Sequence, residues 1–389
     1  VKPDSAGSDP AEVGKVVLGS LLYTAGSAIL YVLPAYLGEL SARLGLNEAQ
    51  LGSITGAENI GIALASVVSM LWLTRYNPRV LAVGATACCV VLNLVAFFSR
   101  RFDLLVAARF LTGLLGEGIL FSLAFAVLGA TRDPQRAFGI GLTVVVLFGS
   151  LVLGASPALD RVPFGTAALL PLAILPVGVL FALRWLPRRA GAAELPRGAA
   201  PARPAGRLAL VAIAGMTIWF AAPGAFWAFA ESAAAAREVP SDAISIALAV
   251  GNAAGLLGSV MAAWQGDRWG RFWPVTIATA CLCVSVAAYG QCTSGIALAA
   301  ALSAFNIFWN YTTVYEMALV VALDPIGKAS LGISAAQVTG FAAGGFFSGL
   351  AISGGSYAAL PAVVAVFALA GWLVLVPCFR QLKPQRPPG

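Results

Sequence analysis

Residues 187–206 read PRRAGAAELPRGAAPARPAG, the only long polar stretch between apolar runs in this chain. Proline, glycine, alanine and arginine in that proportion cannot bury a core, so the stretch reads as a flexible linker. Outward from it in both directions lie apolar runs of about 20 residues, the length a helix needs to cross the hydrocarbon core of a bilayer. On the N-terminal side they fall near 15–38, 49–73, 80–99, 104–130, 137–158 and 165–186. On the C-terminal side they fall near 207–236, 243–265, 273–293, 295–322, 330–351 and 357–379. Helices are expected because every N–H and C=O must be satisfied inside lipid, and a long apolar run does that alone. Most runs exceed the roughly ten-residue strands of a membrane barrel. The predicted fold is therefore an all-α membrane protein, with twelve transmembrane helices in two pseudo-symmetric six-helix bundles. The divisions are a tail over 1–14, bundles over 15–186 and 207–379 joined by the 187–206 linker, and a tail over 380–389.

Composition agrees with that class. Of 389 residues, 59% are hydrophobic and 11% charged, against roughly a quarter charged in a soluble domain. A soluble protein so composed would lack polar groups to cover its surface. Histidine is absent, which removes the commonest metal ligand and the side chain that titrates most readily near neutral pH. The six cysteines, Cys88, Cys89, Cys281, Cys283, Cys292 and Cys378, sit in or at the ends of apolar stretches without a C-x-x-C pair. They read as small buried hydrophobes. No metal or cofactor is expected, and no nucleophile–base pair marks an enzyme.

Basic residues set the orientation. With the N-terminus inside, 18 of the 24 lysines and arginines fall on the cytoplasmic side, 5 on the other face, and Arg109 within a span. That bias places both termini in the cytoplasm, which an even number of spans requires. The net charge of +7 is thus a topology signal, spread over short loops, and nucleic acid is not an expected partner. Arginine-over-lysine, alanine-rich usage points to a GC-rich bacterial source and hence to a cytoplasmic (inner) membrane.

The two sides of the linker echo one another. Asp133-Pro134 follows the fourth run and Asp324-Pro325 the tenth, each read as starting a helix, with Arg136 and Lys328 close behind. The loop at Thr74–Arg79 corresponds to Asp267–Arg271 at an offset of 193 residues. Two such repeats joined by a basic linker are the pattern of a secondary transporter.

Gly266-Asp267-Arg268-Trp269-Gly270-Arg271 resembles the D-R-x-G-R core of the cytoplasmic-loop motif of the major facilitator superfamily. Arg109-Phe110-Leu111-Thr112-Gly113, with Gly116 and Gly118, is similar to that family's arginine-plus-glycine pattern in the fourth helix. The resemblance implies a major-facilitator-type carrier working by alternating access, with the loop latching the halves by charge pairing. In the first-half copy, Thr74, Asn77 and Pro78 replace the family's aspartate, glycine and arginine, leaving Arg75 and Arg79 for that task. The fifth span has Gly139, Gly141, Gly149 and Gly154 but lacks the ending of the family's antiporter motif.

Charges inside a membrane cost a few kcal/mol each, so each needs a reason. Five stand within the spans: Glu58, Arg109, Glu117, Glu231 and Glu316. At 1.5 Å per residue, Arg109 lies roughly 8 Å deep, Glu58 roughly 13 Å and Glu117 roughly 20 Å. Glu58 and Arg109 are in reach of one another if the second and fourth helices pack, either as a static pair or as part of coupling. Glu117 is left near the midplane without an obvious cation. Desolvation disfavours a charged carboxyl there, which makes Glu117 the natural proton carrier; a hydrogen bond to a neighbouring helix is the competing reading. Glu316, two turns from the cytoplasmic end of its helix, either lines the cavity or reaches toward water.

Other polar and aromatic residues mark candidate cavity walls. In the seventh run, Pro223-Gly224 predicts a bend, and Phe220, Trp227 and Glu231 share one face, suiting a gate or, alternatively, an interfacial aromatic belt. In the tenth, Asn306, Asn310 and Thr313 line one stripe beside Trp309, Thr312 and Glu316, and Asn310 is the repeat counterpart of Glu117. The first run offers Tyr23, Ser27 and Tyr31, and the eighth Ser245, Asn252 and Ser259; helix–helix hydrogen bonding competes in both cases. Gly340, Gly344, Gly345 and Gly349, beside Gln337, read as a close-packing surface.

The expected function is secondary active transport of a small organic solute, coupled to protons through Glu117, Glu58, Arg109 and Glu231. Four carboxylates against one arginine favour a cationic, zwitterionic or amphipathic solute. The expected partners are that solute, protons and the lipid bilayer, with the chain a monomer. The alternatives are facilitative transport of a neutral solute, or a sensor or assembly factor that transports nothing. The topology is testable directly. Single cysteines in 187–206 of a cysteine-free variant are expected to resist membrane-impermeant thiol reagents in intact cells. Labelling from outside would contradict the assignment.

Overall fold

Asn77 accepts a hydrogen bond from the N–H of Arg79 at 2.9 Å and caps a helix whose first residue is Pro78. The Asn-Pro pair that departs from the loop motif is therefore a helix start, where a missing N–H costs nothing. Comparable local chemistry bounds other elements. Asp133 accepts from Arg136 N–H at 3.0 Å at the head of the helix that begins with Pro134. Gly45, at a φ of 64°, ends the first helix by bonding Ser41 O at 2.9 Å, a left-handed C-terminal turn that glycine adopts without steric cost.

The structure, a computed structural model, describes residues 10–46, 48–72, 76–159, 168–186, 206–324, 329, 332–352 and 356–381. Its helices are α1 (Pro10–Leu44), α2 (Glu48–Trp72), α3 (Pro78–Phe98), α4 (Phe102–Gly129), α5 (Pro134–Leu159) and α6 (Leu169–Trp185), followed by a second set. That set is α7 (Arg207–Trp227), α8 (Ser241–Gln265), α9 (Phe272–Tyr289), α10 (Gly295–Leu323), α11 (Gly332–Ala351) and α12 (Leu360–Gln381). Among the described residues, nine helices are long and apolar enough to cross a membrane. α6 is shorter, and α10 and α11 are long enough but diluted by polar residues and glycines.

α7 is one continuous helix through Pro223-Gly224 and is interrupted only after Trp227, resuming as a short helix at Ala230–Ala235. Gly224 serves for close approach, since a Cβ there would strike the carbonyl of Phe341 in α11. Asp324 closes α10, and its carboxylate accepts from Ala329 N–H at 2.7 Å; the helix start read at Asp324-Pro325 falls, from Pro325 on, on residues outside the described set. Residues 325–328 lie outside the described set, as do Arg75 and residues 187–205 of the linker.

The packing is two-fold. Within the first half α1 packs on α5, α2 on α4, α3 on α4 and α3 on α6. Within the second the equivalents recur: α7 on α11, α8 on α10, α9 on α10 and α9 on α12. The halves meet through α5 on α8 and through α2 on α11, again equivalent pairs. Lipid tails are as apolar as leucine, so these contacts rest on van der Waals fit between small residues. At the α7–α11 seam, a Cβ on Gly340 would collide with Thr217 O and one on Gly344 with Ala221 O. Gly345, on the same helix, would meet only ordinary contact at 3.7 Å. Gly344→Ala is therefore expected to cost about 1–3 kcal/mol by overpacking, read as a lower melting temperature in detergent, while Gly345→Ala leaves it unchanged. Equal melting of the two variants would contradict the seam.

Candidate functional site

Arg109 is buried at the junction of α2, α3 and α4. Glycines bring those helices to backbone contact. A Cβ on Gly113 would strike Glu58 O, one on Gly61 Phe110 O, and one on Gly116 the sulfur of Cys89. With the backbones so close, Arg109 meets polar groups from both neighbours. Its Nη1 donates to Asn93 Oδ1 at 2.6 Å, and its Nη2 is ion-paired with Glu58 while standing 3.4 Å from Glu117 Oε1. The guanidinium carbon also lies 5.7 Å from the ring centroid of Tyr36, within cation–π range.

Glu117 thus has a cationic neighbour, contrary to expectation. The reason is a π-helical turn over Gly113–Glu117, in which Gly118 N–H reaches back five residues to Gly113 O. In an unbroken α-helix, residue i+8 lies about 80° around from residue i. One extra residue in the turn brings it to about 20°, onto the face of Arg109. Arg109 consequently stands between two carboxyls, Glu58 and Glu117, and neutralises one negative charge. Asn93 is a site residue that the sequence reading passed over; its signal was a lone carboxamide in the apolar run of α3.

The equivalent positions of the second half carry no charge. At the offset of 193 residues, Glu58 and Arg109 become Gly251 and Leu302, which pack together, and Glu117 becomes Asn310. Asn306 and Asn310 are buried, and each donates from Nδ2 to the carbonyl four residues earlier, Leu302 O at 3.0 Å and Asn306 O at 2.9 Å. Thr313 and Ser27 likewise bond their own helices, through Trp309 O and Tyr23 O, both at 2.8 Å.

Aromatic rings join the halves. Tyr31 of α1 stacks on Trp309 of α10, with centroids 5.7 Å apart and planes 5° apart. Phe341 of α11 stacks on Trp309 at 5.8 Å, and Trp227 of α7 lies at 6.1 Å. The indole of Trp227 donates to Leu30 O across the halves at 3.1 Å. Trp227 and Phe220 are buried, so they do not form an exposed aromatic belt. Phe220 is wedged against α11, its Cβ standing 2.8 Å from where a Cβ on Gly340 would lie. Tyr23, edge-on to Phe121 at 5.0 Å, has its hydroxyl beside Tyr31 and Gln337.

Asn252 donates from Nδ2 to Val146 O at 3.2 Å and Ser150 Oγ at 3.0 Å on α5, and Ser259 bonds Thr143 at 2.8 Å. Both therefore tie α8 to α5, across the halves. Glu316 is fully buried and does not reach water; neither carboxyl oxygen has a hydrogen-bond partner among the described residues. Glu231 is half-buried on the short helix Ala230–Ala235 that follows α7, beside Gly38 of α1.

The loop residues bond within their own halves. Arg271 grips Asp267 through two bonds, at 2.7 and 2.6 Å, and Arg268 lies over the Trp264 ring at 5.5 Å. Gly266 and Gly270 take positive φ values of 54° and 67°, which glycine tolerates. Gly266 O accepts from Tyr315 of α10 at 2.8 Å. Arg79 donates to Leu186 O at 2.6 Å and Arg184 O at 3.3 Å, capping the end of α6. Among the described residues, no group of three or more Cys, Asp or Glu side chains is placed to hold a metal.

Residues 16–349 match the family model of the Major Facilitator Superfamily. A probable metabolite transport protein of Saccharomyces cerevisiae is 35% identical over 110 residues, 28% of this chain and 22% of its own length. The multidrug resistance protein MdtL of Shigella flexneri is 27% identical over 185 residues, 46% of each chain. The chain thus spans under half the length of both relatives. Among solved structures, the transporter FucP in its outward conformation aligns with a TM-score of 0.68 at 15% identity, over 96% of this chain and 98% of its own. The human organic anion transporter MFSD10 aligns at 0.70 and 18% identity, over 96% of this chain and 100% of its own. At these identities the structural likeness is one of fold.

Proposed function

The chain belongs to the major facilitator superfamily, and on that premise we propose that it is a secondary active transporter coupling a small organic solute to protons. One observation carries the coupling: a single buried guanidinium lies between two carboxyls, Glu58 in direct ion pair and Glu117 at 3.4 Å. With one positive charge for two acids in a desolvated site, one acid has a place for a proton. Glu117, the more loosely held, takes it. When the proton leaves, the guanidinium has two anions to satisfy, and its shift between them strains the α2–α4 contact.

In this reading the two bundles, 15–186 and 207–379, rock against each other in alternating access. The seams α5–α8 and α2–α11 open and close, and Glu231 lies at the outer end. Asp267, Arg268, Gly270 and Arg271 act as a stiff corner between α8 and α9 rather than as a charge latch between halves, since Asp267 is already paired with Arg271. Arg79 does the same for α3 and α6. The protein works as a monomer in a bacterial cytoplasmic membrane with both termini inside. Glu58, Glu117, Glu231 and Glu316 against Arg109 favour a cationic, zwitterionic or amphipathic solute. A metabolite transport protein and a multidrug resistance protein among the relatives support a small organic cargo.

Glu117→Gln preserves shape and removes titration. In proteoliposomes it is expected to abolish solute accumulation driven by a pH gradient while leaving solute exchange intact. Accumulation at the wild-type rate would refute the proton role.

A further inference from the structure

Three buried asparagines of α8 and α10 are oriented the same way, unlike Gln265 and Gln337, whose Nε2 is the atom without a partner among the described residues. Asn252, Asn306 and Asn310 direct Nδ2 to the carbonyls of Val146, Leu302 and Asn306 respectively. A carbonyl only accepts, so the side facing it must be the NH2, and the orientation of each amide is settled by its partner. Among the described residues the three Oδ1 atoms then have no hydrogen-bond donor, although all three residues are buried. Buried acceptors without donors are rare and call for an explanation.

The three amides belong to one region. A Cβ on Gly255 of α8 would stand 2.5 Å from Asn310 Nδ2 and 3.4 Å from Val146 of α5, so the Asn310 amide fills the space over that glycine. Asn252 lies one turn away on the same face of α8, and Asn306 one turn away on α10. The aromatic stack borders them. A Cβ on Gly149 would stand 2.7 Å from Tyr31 Cβ and 3.1 Å from Asn252 Nδ2, and Tyr31 lies on Trp309, the neighbour of Asn310.

We propose that Asn252, Asn306 and Asn310 receive the protonated amine of the solute, with its carbon body against the Tyr31–Trp309 stack. The inference rests on the transport reading above and names the solute's chemical class. A primary ammonium carries three donors and no acceptor, which matches three acceptors with no donors. A sugar or polyol hydroxyl brings lone pairs that this cluster leaves unsatisfied. The aromatic faces add cation–π attraction, and neutral carboxamides let the cation go again, which a carboxylate partner would resist.

Binding to the purified protein, followed by tryptophan fluorescence without any gradient, tests this separately from coupling. The probes are phenethylammonium, its N,N,N-trimethyl analogue and sodium chloride alone. Phenethylammonium is expected to bind wild type and Gly345→Ala, whose added Cβ meets only ordinary contact, alike. Loss of the N–H donors in the trimethyl analogue, or of the acceptor in Asn310→Leu, weakens binding by about tenfold or more. Asn310→Asp keeps the shape, adds a charge and tightens binding, which guards against misfolding as the cause. Equal binding of the trimethyl analogue, a response to sodium alone, unchanged affinity in Asn310→Leu, weaker affinity in Asn310→Asp, or no binding of phenethylammonium overturns the proposal. If binding fails while gradient-driven uptake of another solute persists, the transport reading stands and only this assignment falls.

Discussion

A guanidinium buried away from water must be answered by anions close at hand, and in this protein two glutamates from different helices answer one arginine. Much of the first half follows from that demand. α2 and α4 must approach to backbone contact, which Gly61 and Gly113 permit. α3 must supply a carboxamide, and Asn93 does so at 2.6 Å. α4 must turn one residue further than an α-helix would, and the π-helical turn at Gly113–Glu117 achieves it. Leaving out either carboxyl would not empty the site, because the remaining partner still faces the cation. With that redundancy, the proposed shift of charge strands no ion in a medium of low dielectric.

The two halves share packing and divide chemistry. Equivalent helices touch in equivalent pairs, yet the Glu58–Arg109 ion pair of the first half is a Gly251–Leu302 contact in the second, and Glu117 corresponds to Asn310. In the proposed mechanism the Arg109 cluster of the first half exchanges the proton, and the uncharged counterpart positions in the second half hold the solute. The aromatic stack of Tyr31 and Trp309 lies between them and draws one ring from each half. A movement of one bundle against the other must therefore disturb that stack, and under the proposed coupling this links Glu117 to the carboxamides.

Much of this was legible in the residues. Apolar run length located the helices, because lipid leaves the backbone no alternative partner, and helix depth put Glu58 within reach of Arg109. The π-helical turn was not legible: it changes which residues share a face without any signature in composition, so Glu117 looked partnerless. Burial of Glu316 was hidden for a related reason, since its distance from the helix end says nothing about which neighbours cover it. Pro223-Gly224 suggested a bend; the helix is continuous there and is interrupted after Trp227, and Gly224 lies against the backbone of Phe341, a contact that its own sequence does not announce. Arg79, read with the loop motif, also caps α6 through Leu186 O, a contact set by a helix end distant in sequence.

The central claim is that Arg109 holds Glu58 and leaves Glu117 as the acid that exchanges a proton. Infrared difference spectroscopy of the reconstituted protein across a pH step reads protonated carboxyl groups directly. The account predicts a carboxyl C=O band that changes with pH in wild type, is lost in Glu117→Gln and remains in Glu316→Gln. A band that survives in Glu117→Gln would contradict it.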